Sequence, residues 1–134
     1  MIGERTTAFG WFTLMNMSFS STEITPKIPE LRSSSEFDAL LTEELVVIFK
    51  HSNACDRSWG AHDEITDFHR DRPEVRLYIV SVLDSRPTSQ HIAHVSGVEH
   101  QSPQVLVFRK GKVVGFASHL GVTAERVSTI IDNS

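Results

Sequence analysis

The sequence is poor in cysteine, and this scarcity limits the kind of protein that it encodes. One cysteine, Cys55, occurs in 134 residues. No disulfide can therefore form within the chain, which excludes a small disulfide-stabilised secreted scaffold and favours a reducing, cytoplasmic setting. Long hydrophobic runs are also missing. The apolar run "AFGWFTLM" (residues 8–15) is much too short to span a bilayer, so no membrane span is expected.

An excess of positive charge is also absent. The chain has 13 basic and 17 acidic residues, a formal net charge of -4, and no visible basic stripe, so no nucleic-acid partner is expected. Hydrophobic residues make up 40% and charged residues 22% of the chain. These fractions are typical of a globular protein, and the length fits one domain with a hydrophobic core of its own.

The N-terminal quarter of the chain, residues 1–35, differs in composition from the rest. Residues 18–35, "SFSSTEITPKIPELRSSS", are rich in Ser, Thr and Pro and are typical of a linker. The run before them has the length of a signal peptide, but Arg5 lies beside Glu4 and no clear cleavage site follows. A flexible tail, or a true start at Met15 or Met17, is preferred to an export signal. The predicted organisation is an extension over 1–34 and a folded domain over 35–134.

The domain region alternates between helical and strand-like patterns. Ser residues before Glu36 predict a helix start, and "LVVIF" (45–49) predicts a buried strand. A helical pattern over about 58–70 is broken at Pro73. Strand 75–83, a short helix over 89–95 that ends at Gly97, a hairpin turning at Lys110–Gly111 and a helix capped by Thr123 complete the order. The predicted fold is α/β, with a mixed four-stranded sheet flanked by helices on both faces.

The lone cysteine follows the first predicted strand and lies at or just before the next helix. Helix N-termini stabilise anions, and the thiolate is the reactive form of cysteine. Arg57 and His51 would add positive potential, whereas Asp56 would oppose it. The alternative interpretation of Cys55 is a small buried apolar residue.

This order, followed by a proline that opens a later strand, resembles the thioredoxin superfamily. The residues that carry the resemblance are "ACDRS" and "QSPQV" (101–105). The resemblance implies a thioredoxin-like fold in which Pro103 is a cis-proline that faces the reactive cysteine. It also implies that the backbone at Ser102 can pair with an extended substrate segment.

A closer resemblance is to the monothiol bacilliredoxin family. It rests on "IFKHS..C..S" and on "VLDSRPTSQHIAHVSGVEHQSPQVLVFRKGKVVGFASH..VTAE", and it covers about residues 36–130. The resemblance implies a bacterial thiol–disulfide oxidoreductase that removes a bacillithiol-like small thiol from S-thiolated proteins. Cys55 would be its nucleophile, Ser58 would replace a resolving cysteine, and Pro103 would be the cis-proline. The small thiol is then a co-substrate, and no tightly bound cofactor is implied.

Several residues near the motif allow more than one interpretation. Ser58 is either a helix cap or a hydrogen-bond partner of the thiolate. Trp59 is either core, the preferred interpretation, or a flat contact for substrate. His51, Arg57 and His119 are candidate substrate contacts that line the site. The seven histidines show neither paired cysteines nor H-E-x-x-H, so no metal site is predicted.

Three functions are compatible with these residues. The first, and preferred, is a monothiol oxidoreductase. The second is a redox-inert module that holds extended peptide near Pro103. The third is an iron–sulfur carrier, which ranks last because "CDRS" lacks the glycine and phenylalanine typical of cluster-binding monothiol glutaredoxins.

Overall fold

A computed structural model of the chain describes residues 27–53 and 56–134, without the side chains of residues 56 and 57. Helices and strands alternate along these residues before a terminal hairpin and helix. In chain order they are α1 (Ser34–Leu40), β1 (Leu45–His51), α2 (Asp56–Asp71), β2 (Arg76–Ser81), α3 (Arg86–Ser96), β3 (Gln104–Arg109), β4 (Lys112–Ser118), a 3₁₀ turn (His119–Gly121) and α4 (Ala124–Asp132).

The four strands form one mixed sheet in the order β2-β1-β3-β4. Strands β1 and β2 are parallel and are connected through α2, whereas β3 runs antiparallel to both β1 and β4. The parallel pair requires a crossover connection, which α2 provides. The predicted mixed four-stranded sheet is therefore confirmed.

Alternation along β1 divides the core into two layers. Val47 and Phe49 pack with residues of α2 and α4 on one face, and Val46 and Ile48 pack with residues of α1 and α3 on the other. Helices thus cover both faces, as the sequence predicts, because successive strand side chains point to opposite sides of a sheet.

Local signals in the sequence account for the ends of several elements. The backbone N–H of Glu36 donates to Ser33 Oγ at the start of α1, and that of Arg126 donates to Thr123 Oγ1 at the start of α4. Gly97 ends α3 in the left-handed conformation. The β3–β4 turn has positive φ at Lys110 and Gly111, as predicted for a two-residue hairpin turn.

Some boundaries differ from those predicted. Strand β1 continues to His51, two residues beyond the apolar run. Strand β2 ends at Ser81 rather than 83, because the Ser81 carbonyl accepts a hydrogen bond from Ser85 and begins a turn. Helix α3 begins at Arg86 rather than 89, because Pro87 fits its first turn.

A short segment that precedes α1 adds to the sheet edge. Glu30 forms an isolated parallel bridge with Ile79 of β2, through N–H donation from Leu31 to the Ile79 carbonyl and from Ile79 to the Pro29 carbonyl. Leu31 is buried. Contacts of the domain therefore include residues that the sequence assigns to the linker.

None of the helices in the described part of the chain is both long and apolar enough to cross a membrane.

Candidate functional site

Three elements meet at one end of the sheet. Lys50, near the end of β1, pairs with Gln104 at the start of antiparallel β3. Helix α2 begins at Asp56, five residues after β1 ends. The end of β1, the start of α2 and Pro103, the residue before β3, are therefore neighbours, as the resemblance to the thioredoxin superfamily implies.

The predicted nucleophile lies at this junction in the sequence. Cys55 directly precedes α2, a helix of 16 residues, but Cys55 itself lies outside the described residues. The side chain of Arg57, a predicted substrate contact, also lies outside them.

Two hydrogen bonds tie together the ends of the segment that contains Cys55. The backbone N–H of Ser52 donates to Ser58 Oγ at 3.2 Å, and the indole N–H of Trp59 donates to the carbonyl of Asn53 at 3.2 Å. Ser58 is fully buried in the first turn of α2. Its oxygen accepts a hydrogen bond from the preceding loop, and a serine hydroxyl can donate as well as accept.

The preference for Trp59 as a core residue is wrong. Its side chain is 46% exposed, whereas Ser58, Ala61 and Ile65 are buried. The physical reason is the register of α2: the face that packs on the sheet runs through Ser58, about 100° away from Trp59 on the helix. Trp59 instead lies beside His51 and His62, with ring centroids 4.7 and 5.2 Å away.

The Ser102–Pro103 peptide bond is cis, as the resemblance implies. Pro103 is buried, and the backbone N–H of His119 donates to its carbonyl at 2.8 Å. The Ser102 hydroxyl is buried and makes no hydrogen bond to the described residues.

His119 supports the loop that contains the cis-proline. Its backbone has a positive φ of 57°, and its Nε2 lies 2.9 Å from Gln101 Oε1. His119, the first residue of the 3₁₀ turn after β4, thus contacts the loop before β3 at both Gln101 and Pro103.

His51 is the last residue of β1, and its side chain is only 4% exposed. Its ring contacts Trp59 edge-on and lies 5.0 Å from the ring of His62. Burial, and secondarily the neighbouring His62, lower the pKa of His51, although Ser58 and Asn53 lie where they favour the protonated ring. Neither ring nitrogen makes a hydrogen bond of good geometry to the described residues. At neutral pH the His51 ring is therefore neutral, with one donor and one acceptor nitrogen, and neither makes a hydrogen bond of good geometry within the described part of the chain.

A cavity of about 790 Å³ opens beside this ring. Its inner walls come from the ends of β1 and β2 and from one face of α2, and its outer wall is the segment that pairs with β2. The lining residues are Lys27, Ile28, Pro29, Glu30, Arg32, His51, Asn53, Trp59, His62, Thr66, Ile79, Ser81 and Asp84. Among the described residues, no group of three His, Cys, Asp or Glu side chains is placed to hold a metal ion.

The sequence does not reveal this cavity. His62 and Thr66 lie three and seven residues after Trp59, and this spacing predicts that the three side chains share one face of a helix. The outer wall, however, comes from residues 27–32, and no local pattern in that stretch indicates that it pairs with β2.

A second polar cluster was also missed, on the opposite face of β1. Lys50 is fully buried, which lowers its pKa to about 8. Its Nζ lies 3.2 Å from Nδ1 of His100, which in turn lies 3.1 Å from Ser89 Oγ. Burial, then Lys50 and Arg86, lower the pKa of His100.

Gln104 completes this second cluster. It is fully buried beside Lys50, and its Nε2 donates to the Glu99 carbonyl at 3.0 Å and to Ser118 Oγ at 3.1 Å. These bonds fix the start of β3 to the loop before Pro103 and to the end of β4.

Comparisons with solved structures identify the fold as thioredoxin-like. A thioredoxin-fold protein described as a candidate oxidoreductase is 28% identical, with a TM-score of 0.74, and the match covers 78% of this chain and 93% of that one. Mitochondrial thioredoxin 3 from Saccharomyces cerevisiae in its oxidised form is 19% identical (TM-score 0.65; 80% and 95% covered). Thioredoxin from Trypanosoma brucei brucei is 18% identical (TM-score 0.66; 82% and 96% covered). The last two likenesses show the fold alone, and the predicted thioredoxin-like fold is confirmed.

The family assignment rests on a match of the sequence rather than on the fold. Residues 29–127 match the family model described as monothiol bacilliredoxin BrxC, which covers most of the chain and includes the C-x-x-S segment, the cis-proline and His119. The match begins at Pro29, within the segment that pairs with β2. Together with the geometry at the end of β1, this shows a thiol-redox protein of thioredoxin fold, and the chain belongs to the monothiol bacilliredoxin family.

Proposed function

We propose that the protein is a monothiol oxidoreductase that removes a bacillithiol-like small thiol from S-thiolated proteins, with Cys55 as its nucleophile. The observation that carries the proposal is the meeting of the end of β1, the start of α2 and cis-Pro103 at one end of the sheet. In that position Cys55 directly precedes a 16-residue helix, whose N-terminus favours the thiolate form.

The reaction takes two exchange steps. The Cys55 thiolate attacks the small-thiol sulfur of the mixed disulfide. A bond forms between Cys55 and the small thiol, the protein–small thiol bond breaks, and the protein leaves as a thiolate that takes a proton from water. A second small thiol, as its thiolate, then attacks the small-thiol sulfur on Cys55. This step forms the small-molecule disulfide and releases the Cys55 thiolate. Each cycle therefore consumes one free small thiol as the reductant and joins it to the small thiol that was removed from the protein.

Ser58 explains why the second thiol must come from solution. It occupies the place of a resolving cysteine, and a hydroxyl cannot displace a disulfide-bonded sulfur. Its oxygen already accepts the hydrogen bond from Ser52, so its remaining function toward a thiolate is to donate its hydroxyl hydrogen.

The protein part of the substrate would dock at the junction on the side of β3. Ser102 and cis-Pro103 offer a backbone edge next to β3 for an extended segment. Leu120, which follows His119, is 84% exposed, and it adds an apolar contact on the same side. The lone cysteine and this exchange chemistry agree with a reducing, cytoplasmic compartment in a bacterium.

The decisive experiment compares the wild type with Cys55→Ser. The substrate is a protein carrying a bacillithiol mixed disulfide, with free bacillithiol as the reductant, and the release of the thiol is followed by intact mass. We expect the variant to lose all activity, because Cys55 is the only cysteine of the chain. Its circular dichroism spectrum should stay unchanged. Activity that survives in the variant would end the proposal.

The pH dependence of Cys55 alkylation distinguishes this enzyme from a redox-inert peptide-binding module. An apparent pKa clearly below the free value of about 8.5 supports the activated thiolate. A thiol that stays unmodified in the folded protein, or that titrates at or above that value, supports the inert module.

A further inference from the structure

We infer that the cavity beside His51, Trp59 and His62 is the binding site for the part of the small thiol that does not react. This inference rests on the proposed function and adds to it the position and the chemical class of the co-substrate. The predicted docking edge for the protein substrate lies at Ser102, on the β3 side of the junction, whereas the cavity lies on the β2 side. The two halves of a mixed disulfide would therefore have separate places.

Reach is the first argument. Asn53 lines the cavity, and Cys55 is two residues further along the chain, which places its Cα within about 7 Å of that of Asn53. Trp59, on the opposite wall, is held to the Asn53 carbonyl. Chain connectivity therefore keeps Cys55 near Asn53, and we expect a small thiol that is bonded to its sulfur to be able to reach the cavity.

Unused hydrogen-bonding capacity is the second argument. The His51 side chain is almost fully buried and lines the cavity, yet neither of its ring nitrogens makes a hydrogen bond of good geometry to the described residues, although Ser58 and Asn53 lie where they favour the protonated ring. Buried polar groups are nearly always hydrogen-bonded. Packing against Trp59 does not require ring nitrogens, so we expect the His51 nitrogens to form hydrogen bonds with the ligand.

Size and hydrogen-bonding capacity define the class of ligand. A volume of about 790 Å³ is in the range of small-molecule sites. The neutral His51 ring offers one donor and one acceptor, which matches a hydroxyl or amide group. Lys27 and Arg32 in the lining are balanced by Asp84 and by Glu30, which pairs with Arg32 at 3.1 Å, so the charged side chains favour no ligand charge of either sign. The fitting ligand is a small thiol whose polar part carries hydroxyl or amide groups.

The test fills the cavity and compares disulfides of different size. Thr66 lines the cavity on α2, so Thr66→Trp places a large ring inside it. Thr129→Trp makes the same change at an exposed position of α4 and is the matched control. The rate at which Cys55 becomes S-thiolated is measured by intact mass with bacillithiol disulfide, glutathione disulfide and 2-hydroxyethyl disulfide.

We expect Thr66→Trp to slow at least one of the two large polar disulfides tenfold or more. The rate with 2-hydroxyethyl disulfide should change less than twofold, and Thr129→Trp should behave as the wild type with all three. If Thr66→Trp slows all three equally, or slows none, the cavity is not the ligand site although the proposed function stands. If wild-type Cys55 reacts with none of the disulfides, the proposed function fails as well.

A binding measurement keeps the inference testable if Thr66→Trp does not fold. S-methylated bacillithiol and S-methylated glutathione, which cannot exchange, are titrated into the wild type while the histidine ring signals are followed by NMR. We expect the signals of His51 and His62 to shift with at least one ligand, and that of exposed His94 on α3 to stay constant. No shift at millimolar concentrations of either ligand overturns the inference.

Discussion

Lys50 and His51 are consecutive residues of β1, and both are buried. Their side chains lie on opposite faces of the sheet and differ in their hydrogen-bond partners. Lys50 points toward α3 and lies against His100, beside a glutamine with two hydrogen bonds of its own. His51 points toward α2, and its nitrogens have no partner among the described residues. Burial alone does not separate a structural polar residue from a binding one. The two residues differ in their contacts: Lys50 Nζ lies at hydrogen-bond distance from His100, whereas the His51 nitrogens face a cavity.

The largest effect on stability is expected on the Lys50 side. Gln104→Leu keeps the volume but removes donors to the Glu99 carbonyl and to Ser118, so we expect a loss of about 2 kcal/mol in the free energy of unfolding. Urea denaturation measures it, with exposed Gln90→Leu on α3 as the control. Equal losses in the two variants would show that the cluster contributes no stability of its own.

Lys50→Met is expected to have a smaller effect with the opposite sign. The folded pKa of about 8 lies below the unfolded 10.5, so between these values the unfolded chain holds a proton that the folded chain has released. Wild-type stability should therefore rise from about pH 8 to 10.5. Lys50→Met should lack this rise and be more stable by about 1 kcal/mol at pH 7, because no charge is buried. Parallel stability curves against pH in urea titrations would contradict this account of Lys50.

The smallest effect is expected on the His51 side. His51→Phe keeps the ring packing against Trp59 and removes nitrogens that have no partner, so stability at pH 7 should change by less than about 1 kcal/mol. The same variant should nevertheless lose reactivity with the large polar disulfides. Because the folded pKa of His51 is lowered below 6.5, wild-type stability falls as the pH drops through 6.5, and His51→Phe should reduce that fall. Exposed His94→Phe is the control in both measurements, and a large loss of stability only in His51→Phe would make His51 structural.

Local features of the fold were predictable, and the binding surfaces were not. Ser33, Gly97, Gly111 and Thr123 act through neighbours within four residues, so their effects can be read from the chain itself. The cis peptide at Pro103 came only from the resemblance, because spacing and composition do not distinguish cis from trans.

Trp59 shows why the residues of the cavity wall could not be predicted from the sequence. An apolar residue in a helical pattern predicts core, but the buried face of α2 contains Ser58, whose hydroxyl is satisfied by a loop residue six positions earlier. One residue of helical register therefore separates core from cavity wall. The cavity also depends on contacts between residues 27–32 and β2, which are about 50 residues apart in sequence.

The pairing of Pro29 and Leu31 with Ile79 has a consequence for how the cavity fills. The outer wall is attached to β2 by two backbone hydrogen bonds, far fewer than hold the strands of the sheet to one another. A segment held in this way opens through its own local equilibrium, at a lower free energy than unfolding of the domain. Amide hydrogens at Leu31 and Ile79 should then exchange faster than those of central β1, and a ligand that spans the cavity should slow their exchange. The outer wall and the ligand would then stabilise each other. Slower hydrogen exchange in residues 27–32 would therefore indicate that the cavity is occupied.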